Sequence, residues 1–267
     1  MTAFFSVLVY LLISFSASVI GAICGIGGGV IIKPVLDMFG LASVSTISFL
    51  SGCTVLSMSC YSVGRSLSCG ESRVDMRTGT PLAVGGAVGG IVGKWMFGAV
   101  KAMFANPNTV GAVQAICLGL LTVGTLIYTV CKSRIKTRRV DSLALCLAIG
   151  LALGILSSFL GIGGGPFNLV VLFYFFSMDT KTAAENSLYI ILFSQITSLV
   201  TTLVTKTVPT FGWLALILMV AGGIGGGMAG RKLNKKLDNE AVDKLFMGLM
   251  AVIICISIYN VIRYAGA

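Results

Sequence analysis

A glycine-rich pentapeptide, Gly25-Ile26-Gly27-Gly28-Gly29, recurs as Gly161-Ile162-Gly163-Gly164-Gly165, each copy inside an apolar stretch of more than thirty residues with almost no charge. Gly costs about 1 kcal/mol against Ala in a helix interior, so four in five positions unwind a hydrophobic span. Unwound backbone is tolerated within lipid only where protein or a water-filled cavity satisfies its polar groups. The helix that restarts after each break directs bare N–H groups and the positive end of its dipole into the gap, which suits an anion. Paired breaks at matching places predict a membrane transporter with its site at the breaks.

Composition narrows the class. Of the 267 residues 56% are hydrophobic and only 10% charged, with mean hydropathy +1.00, against a charged fraction of about 25% in soluble domains. The expectation is an all-helical, polytopic protein of the lipid bilayer. The eight cysteines are scattered without a C-x-x-C and read as small hydrophobes, not as a disulfide framework or metal site. With no histidine, the usual haem and catalytic-zinc ligands and His proton relays are missing. No cofactor, metal or nucleic-acid partner is expected. Residues 1–24 lack a basic leader region and read as a retained span.

The duplication extends beyond the pentapeptide. Gly85-Gly86-Ala87-Val88-Gly89-Gly90-Ile91-Val92-Gly93-Lys94 aligns without gaps to Gly222-Gly223-Ile224-Gly225-Gly226-Gly227-Met228-Ala229-Gly230-Arg231, with six of ten positions matching if Lys94 is counted with Arg231. The offset is 136 at the pentapeptides and 137 here, which marks a tandem duplication of residues 1–133 and 134–267. Spans are expected near 3–24, 43–64, 78–99, 109–131, 140–160, 184–206, 210–230 and 243–264, with short apolar stretches at 28–39 and 164–178. Counting each broken segment as one crossing divides Lys and Arg ten against nine; letting each go in and return divides them fourteen against five. The second grouping obeys the positive-inside rule. It gives each repeat one re-entrant or returning segment plus three crossings, hence two inverted repeats with both termini outside.

Gly85, Gly89 and Gly93, like Gly222, Gly226 and Gly230, recur every four residues and read as helix-packing seams. The pentapeptides put glycine on all faces and read as binding breaks. A phosphate-binding loop is excluded because Gly25 to Lys33 lacks the Gly-Lys-Ser/Thr ending. Gly27, Gly28 and Gly29 with Gly163, Gly164 and Gly165 are the candidate anion-binding backbone; Lys33, Ser51, Asn168, Asn186, Ser187 and Gln195 are candidate side-chain partners. Lys33 could instead snorkel to the interface, and each polar group could serve helix contacts alone. Asp37 and Glu185 are candidate coupling carboxylates, or else solvated interfacial acids.

Together the duplicated Gly-x-Gly-Gly-Gly segments, the polar helices after them and the Gly-Gly-x-x-Gly-Gly-x-x-Gly-Lys/Arg blocks resemble the TauE/SafE family of sulfite and organosulfonate exporters and permeases. The resemblance covers almost the whole chain. It implies a secondary transporter of a sulfur-containing anion such as sulfite, a sulfonate, sulfoacetate or thiosulfate, linked to the proton gradient. The halves depart from one another after the breaks, where Lys33 precedes Pro34 while the second half places Pro166 earlier, before Leu169 and Val170. An anion channel is the nearest alternative, separable by whether flux saturates. A membrane-embedded enzyme lacks any convergent acid–base constellation, and a scaffold needs no broken spans. Monomer and homodimer both remain open.

Overall fold

The computed structural model describes residues 2–70, 72–104 and 107–265. Among these the elements are helical and no strand forms: α1 (Thr2–Cys24), α2 (Gly29–Phe39), α3 (Val44–Ser68), α4 (Met76–Met103), α5 (Pro107–Cys131), α6 (Leu143–Leu160), α7 (Pro166–Phe176), α8 (Thr180–Val204), α9 (Trp213–Lys236) and α10 (Asn239–Ala265). Seven of them, α3 to α6 and α8 to α10, are long and apolar enough to cross a membrane. Helix α1 is also apolar, with described side chains from Leu8 onward. By contrast α2 and α7 have 11 residues each and reach only about 16 Å, half the hydrocarbon thickness. The chain is a polytopic, all-helical membrane protein.

Local chemistry sets the ends of the elements near the breaks. The left-handed Gly161 (φ 66°) closes α6, and Gly40 (φ 62°) closes α2. Pro166 starts α7 directly after Gly165, at a position where its missing N–H costs nothing. Ser43 caps α3 by accepting the Thr46 N–H, and Asp179, 136 residues on, caps α8 by accepting those of Lys181 and Thr182.

The two halves interlock. Helix α4 packs mainly on α6, and α9 on α1; α4 also packs on α8, and α9 on α3. Exchanging the halves turns each of these pairs into the other, while α3 with α8 and α5 with α10 pair equivalent helices. The four-residue glycine repeats form the two principal seams. A Cβ at Gly85, Gly89 or Gly93 would run into the carbonyl oxygens of Leu147, Leu151 and Ile155. On the other side Gly226 and Gly230 meet the carbonyls of Phe15 and Val19, the equivalents of Leu151 and Ile155 at an offset of 136. Large apolar side chains such as Trp95, Leu120, Trp213 and Ile262 face outward, as the lipid-facing surface of a bundle should.

Candidate functional site

The two pentapeptides meet in the middle of this interlocked bundle. Gly25, Gly27, Gly161 and Gly163 all take positive φ, between 66° and 73°, the left-handed region that side chains with a Cβ resist. The outer pair have exchanged surroundings, Gly25 against Ala184 and Gly161 against Ser48, residues 136 apart, whereas Gly27 and Gly163 both press on the one residue Val55. A Cβ on Gly29 would collide with the Ile162 carbonyl, and one on Gly164 would stand 2.9 Å from the Ile26 carbonyl. Each break therefore presents a backbone oxygen to the other. The Gly28 carbonyl accepts the N–H groups of Ile31 and Ile32 at 3.1 and 3.0 Å, starting α2, and the Gly165 carbonyl accepts that of Asn168 at 3.1 Å, starting α7.

Beside this joint the polar candidates divide. Ser51, fully buried, has a hydroxyl without a partner and faces Gly29. Its equivalent Ser187 accepts a long bond of 3.4 Å from the Asn168 amide, whose own oxygen is buried and unpartnered. These groups retain capacity to bind. Asn186 does not share it: its amide donates to the carbonyls of Arg73 and Thr182 and its oxygen accepts the Asp75 N–H, which ties the α3–α4 loop to α8. Lys33 neither snorkels nor stands alone, because it is 3% exposed and pairs with Asp37, one helical turn on, at 2.8 Å. Asp37 is correspondingly buried and not a solvated interfacial acid.

A cavity of about 380 Å³ opens between the ends of α1, α3, α8 and α9. Among the described residues, Arg73, Lys181, Arg231 and Lys235 line it, with one carboxylate, that of Glu185, and its wall includes Ala184, the residue that backs Gly25. Glu185 accepts the Ser66 hydroxyl at 3.0 Å and the Arg73 N–H at 2.9 Å. Arg231 also donates to the Ser62 carbonyl at 2.9 Å. These four cations read in the sequence only as orientation signals, being spread from position 73 to 235; nothing in their spacing announces that they converge. A second pocket, of about 20 Å³, is lined by Gly161, Gly163, Gln195 and Lys94. Among the described residues no cluster of potential metal ligands occurs.

The family model described as "Sulfite exporter TauE/SafE" matches residues 10–257. The chain belongs to the TauE/SafE family. A curated relative, "Probable membrane transporter protein YunE" of Bacillus subtilis (strain 168), is 24% identical over 278 residues, covering 96% of this chain and 98% of that protein. No solved structure matches. As a TauE/SafE protein the chain is a membrane transporter acting on a small molecule, and its paired glycine breaks and cationic cavity lie within the matched region.

Proposed function

We propose that this chain is a secondary transporter that carries a small sulfur-containing anion, such as sulfite, a sulfonate, sulfoacetate or thiosulfate, across the cytoplasmic membrane by alternating access. The observation that carries this reading is the 380 Å³ cavity, whose described lining holds four cations and one acid and which ends at the wall of the first glycine break. Such a lining concentrates anions and excludes cations. The smaller pocket shares none of its lining residues, so a gated carrier accounts for the two cavities better than a continuous pore. Left-handed glycines at the joint supply backbone able to change direction without a Cβ penalty. The repeats, 1–133 and 134–267, lie inverted with both termini outside, the arrangement that gathers fourteen of the nineteen Lys and Arg on one face. Ser51, Asn168 and Ser187 serve the anion next to the Gly27–Gly29 and Gly163–Gly165 backbone. Of the two carboxylates, Glu185 carries the coupling proton in this reading, which is supported by its position in the cavity lining and by the pairing of Asp37 with Lys33.

The test is flux in proteoliposomes against sulfite, thiosulfate, sulfate, taurine, sulfoacetate and simple carboxylates, with pH set independently on each side. Saturable transport of a sulfur anion that responds to the pH difference is expected. Non-saturating flux would indicate a channel, and no flux of any sulfur anion would overturn the cargo.

A further inference from the structure

The two cavities are copies of one another. Ser62 and Ser66 of the large cavity correspond, at an offset of 136, to Ser198 and Thr202 of the small pocket, and Ala184 corresponds to Ser48; at 137, Arg231 corresponds to Lys94. Equivalent walls thus enclose about 380 Å³ in one place and about 20 Å³ in the other. The small pocket admits no more than a water molecule, yet its lining is that of a site. Ser48, Ser157 and Ser158 are all at least nine-tenths buried, and none of their hydroxyls has a hydrogen-bond partner. Leaving a buried polar group unpaired is destabilising, so packing alone gives no reason to collect three. Lys94, the one charged residue of the described lining, forms no hydrogen bond or ion pair among the described residues, and Gln195 adds an amide.

We propose that this pocket, built from Lys94, Ser48, Ser158 and Gln195, is a second oxyanion site, shut in the present conformation and opened on the opposite face of the membrane when the large cavity closes. The inference rests on the transporter reading above. A tetrahedral or pyramidal oxyanion accepts hydrogen bonds through three or four oxygens, which matches hydroxyl donors and an ammonium around one small volume. The positive-inside grouping puts Lys94 on the face with five basic residues and Arg231 on the face with fourteen. Equivalent cations therefore guard opposite entrances. The large cavity adds Arg73, Lys181 and Lys235 to Arg231, whereas the small one relies on Lys94. Removal of Lys94 should accordingly impair the anion at one face only.

Ser198→Cys and Ser62→Cys, each placed alone in a chain with its native cysteines replaced, report the two cavities. Each variant is first shown to reach the membrane and to elute as a single species. A maleimide is then applied with and without sulfoacetate, whose sulfonate does not react with thiols. We expect sulfoacetate to shift the two labelling rates several-fold in opposite directions. Adding Lys94→Gln should remove the response at Ser198→Cys, and Lys94→Arg should retain it. A response at Ser62→Cys with none at Ser198→Cys, or with the same sign there, would overturn the second site and leave the transporter reading intact. An unchanged response in the Lys94→Gln background overturns the role of Lys94. If neither position responds to sulfoacetate, or to sulfate as a second unreactive oxyanion, the oxyanion reading of both cavities fails.

Discussion

At the scale of single residues, the glycines of the breaks differ in what they tolerate. A methyl on Gly29 overlaps the Ile162 carbonyl, which is fixed backbone, whereas one on Gly28 stands 3.0–3.2 Å from the Ser18 hydroxyl and the backbone of Ala17 and Ser18, a tight fit that a shift of a few tenths of an ångström relieves, and one on Gly64, in α3, meets nothing within 4 Å. Overpacking against fixed backbone costs about 1–3 kcal/mol, and it falls here on the joint between the halves. Gly29→Ala should therefore abolish transport and lower the melting temperature in detergent, Gly28→Ala should retain partial flux, and Gly64→Ala should be neutral or gain up to about 1 kcal/mol of stability. Equal behaviour of the three in paired melting and flux assays would refute the steric account. The buried Lys33–Asp37 pair makes a second case. Losing one partner leaves an uncompensated charge and costs about 3–5 kcal/mol, while replacing both by apolar groups of similar size is far milder. Lys33→Met should thus melt well below the parent and Lys33→Met/Asp37→Leu should recover much of the loss. The breaks were legible in the sequence because consecutive glycines have no use within an ordinary span. The pairing of Lys33 with Asp37 is compatible with their four-residue spacing, but spacing alone does not say that both side chains are buried together.

At the scale of elements, the helix boundaries were largely legible because apolar length and capping chemistry agree. The seams were legible too: a glycine every fourth residue marks one face, and the structure places a neighbouring backbone against that face. Gly89→Leu would drive a side chain into the Leu151 carbonyl, and Gly226→Leu into that of Phe15. Both should sharply reduce the yield of folded protein, whereas Gly98→Leu in the same α4, open around its Cβ, should express normally; fluorescence-detected gel filtration compares them directly. The cap of α8 is open to pH. Burial alone would raise the Asp179 carboxyl, but the Thr182 N–H and hydroxyl, the Lys181 N–H and the charge of Arg73 outweigh it and hold the group below its ordinary value of 3.8. Because the folded value is depressed, the stability this cap contributes is complete above the ordinary value and is lost as pH falls through the folded one. Asp179→Ala should cost about 1 kcal/mol at neutral pH. Asp179→Asn should keep part of the cap while removing its share of the decline in melting temperature below pH 4.

At the scale of the whole molecule, the recurrence at an offset of 136 to 137 residues was legible, but its consequence was not. The offset reveals that two halves exist; it does not reveal that α4 of one half embraces α6 of the other, and α9 embraces α1, so that each cavity draws walls from both halves. For the same reason the cationic mouth is not legible in the sequence. Arg73 lies in the α3–α4 loop, Lys181 in the first turn of α8, and Arg231 and Lys235 in the last turns of α9, and only the interlocked packing brings them to one opening. Their effect on an anion is long-ranged and screened by salt, with a Debye length of about 10 Å at 0.1 M and about 30 Å at 0.01 M. Arg231 also holds the Ser62 carbonyl, so its removal would mix structure with electrostatics. Lys181 isolates the field better. The variant Lys181→Gln should raise the half-saturation concentration for anion entering from this face several-fold at low ionic strength, with little change in maximal rate. The difference from the parent should shrink as ionic strength rises, because mobile ions screen in the parent what the substitution removes. Flux measured across a salt series with oriented proteoliposomes separates this from direct ligation, in which the deficit would persist at high salt.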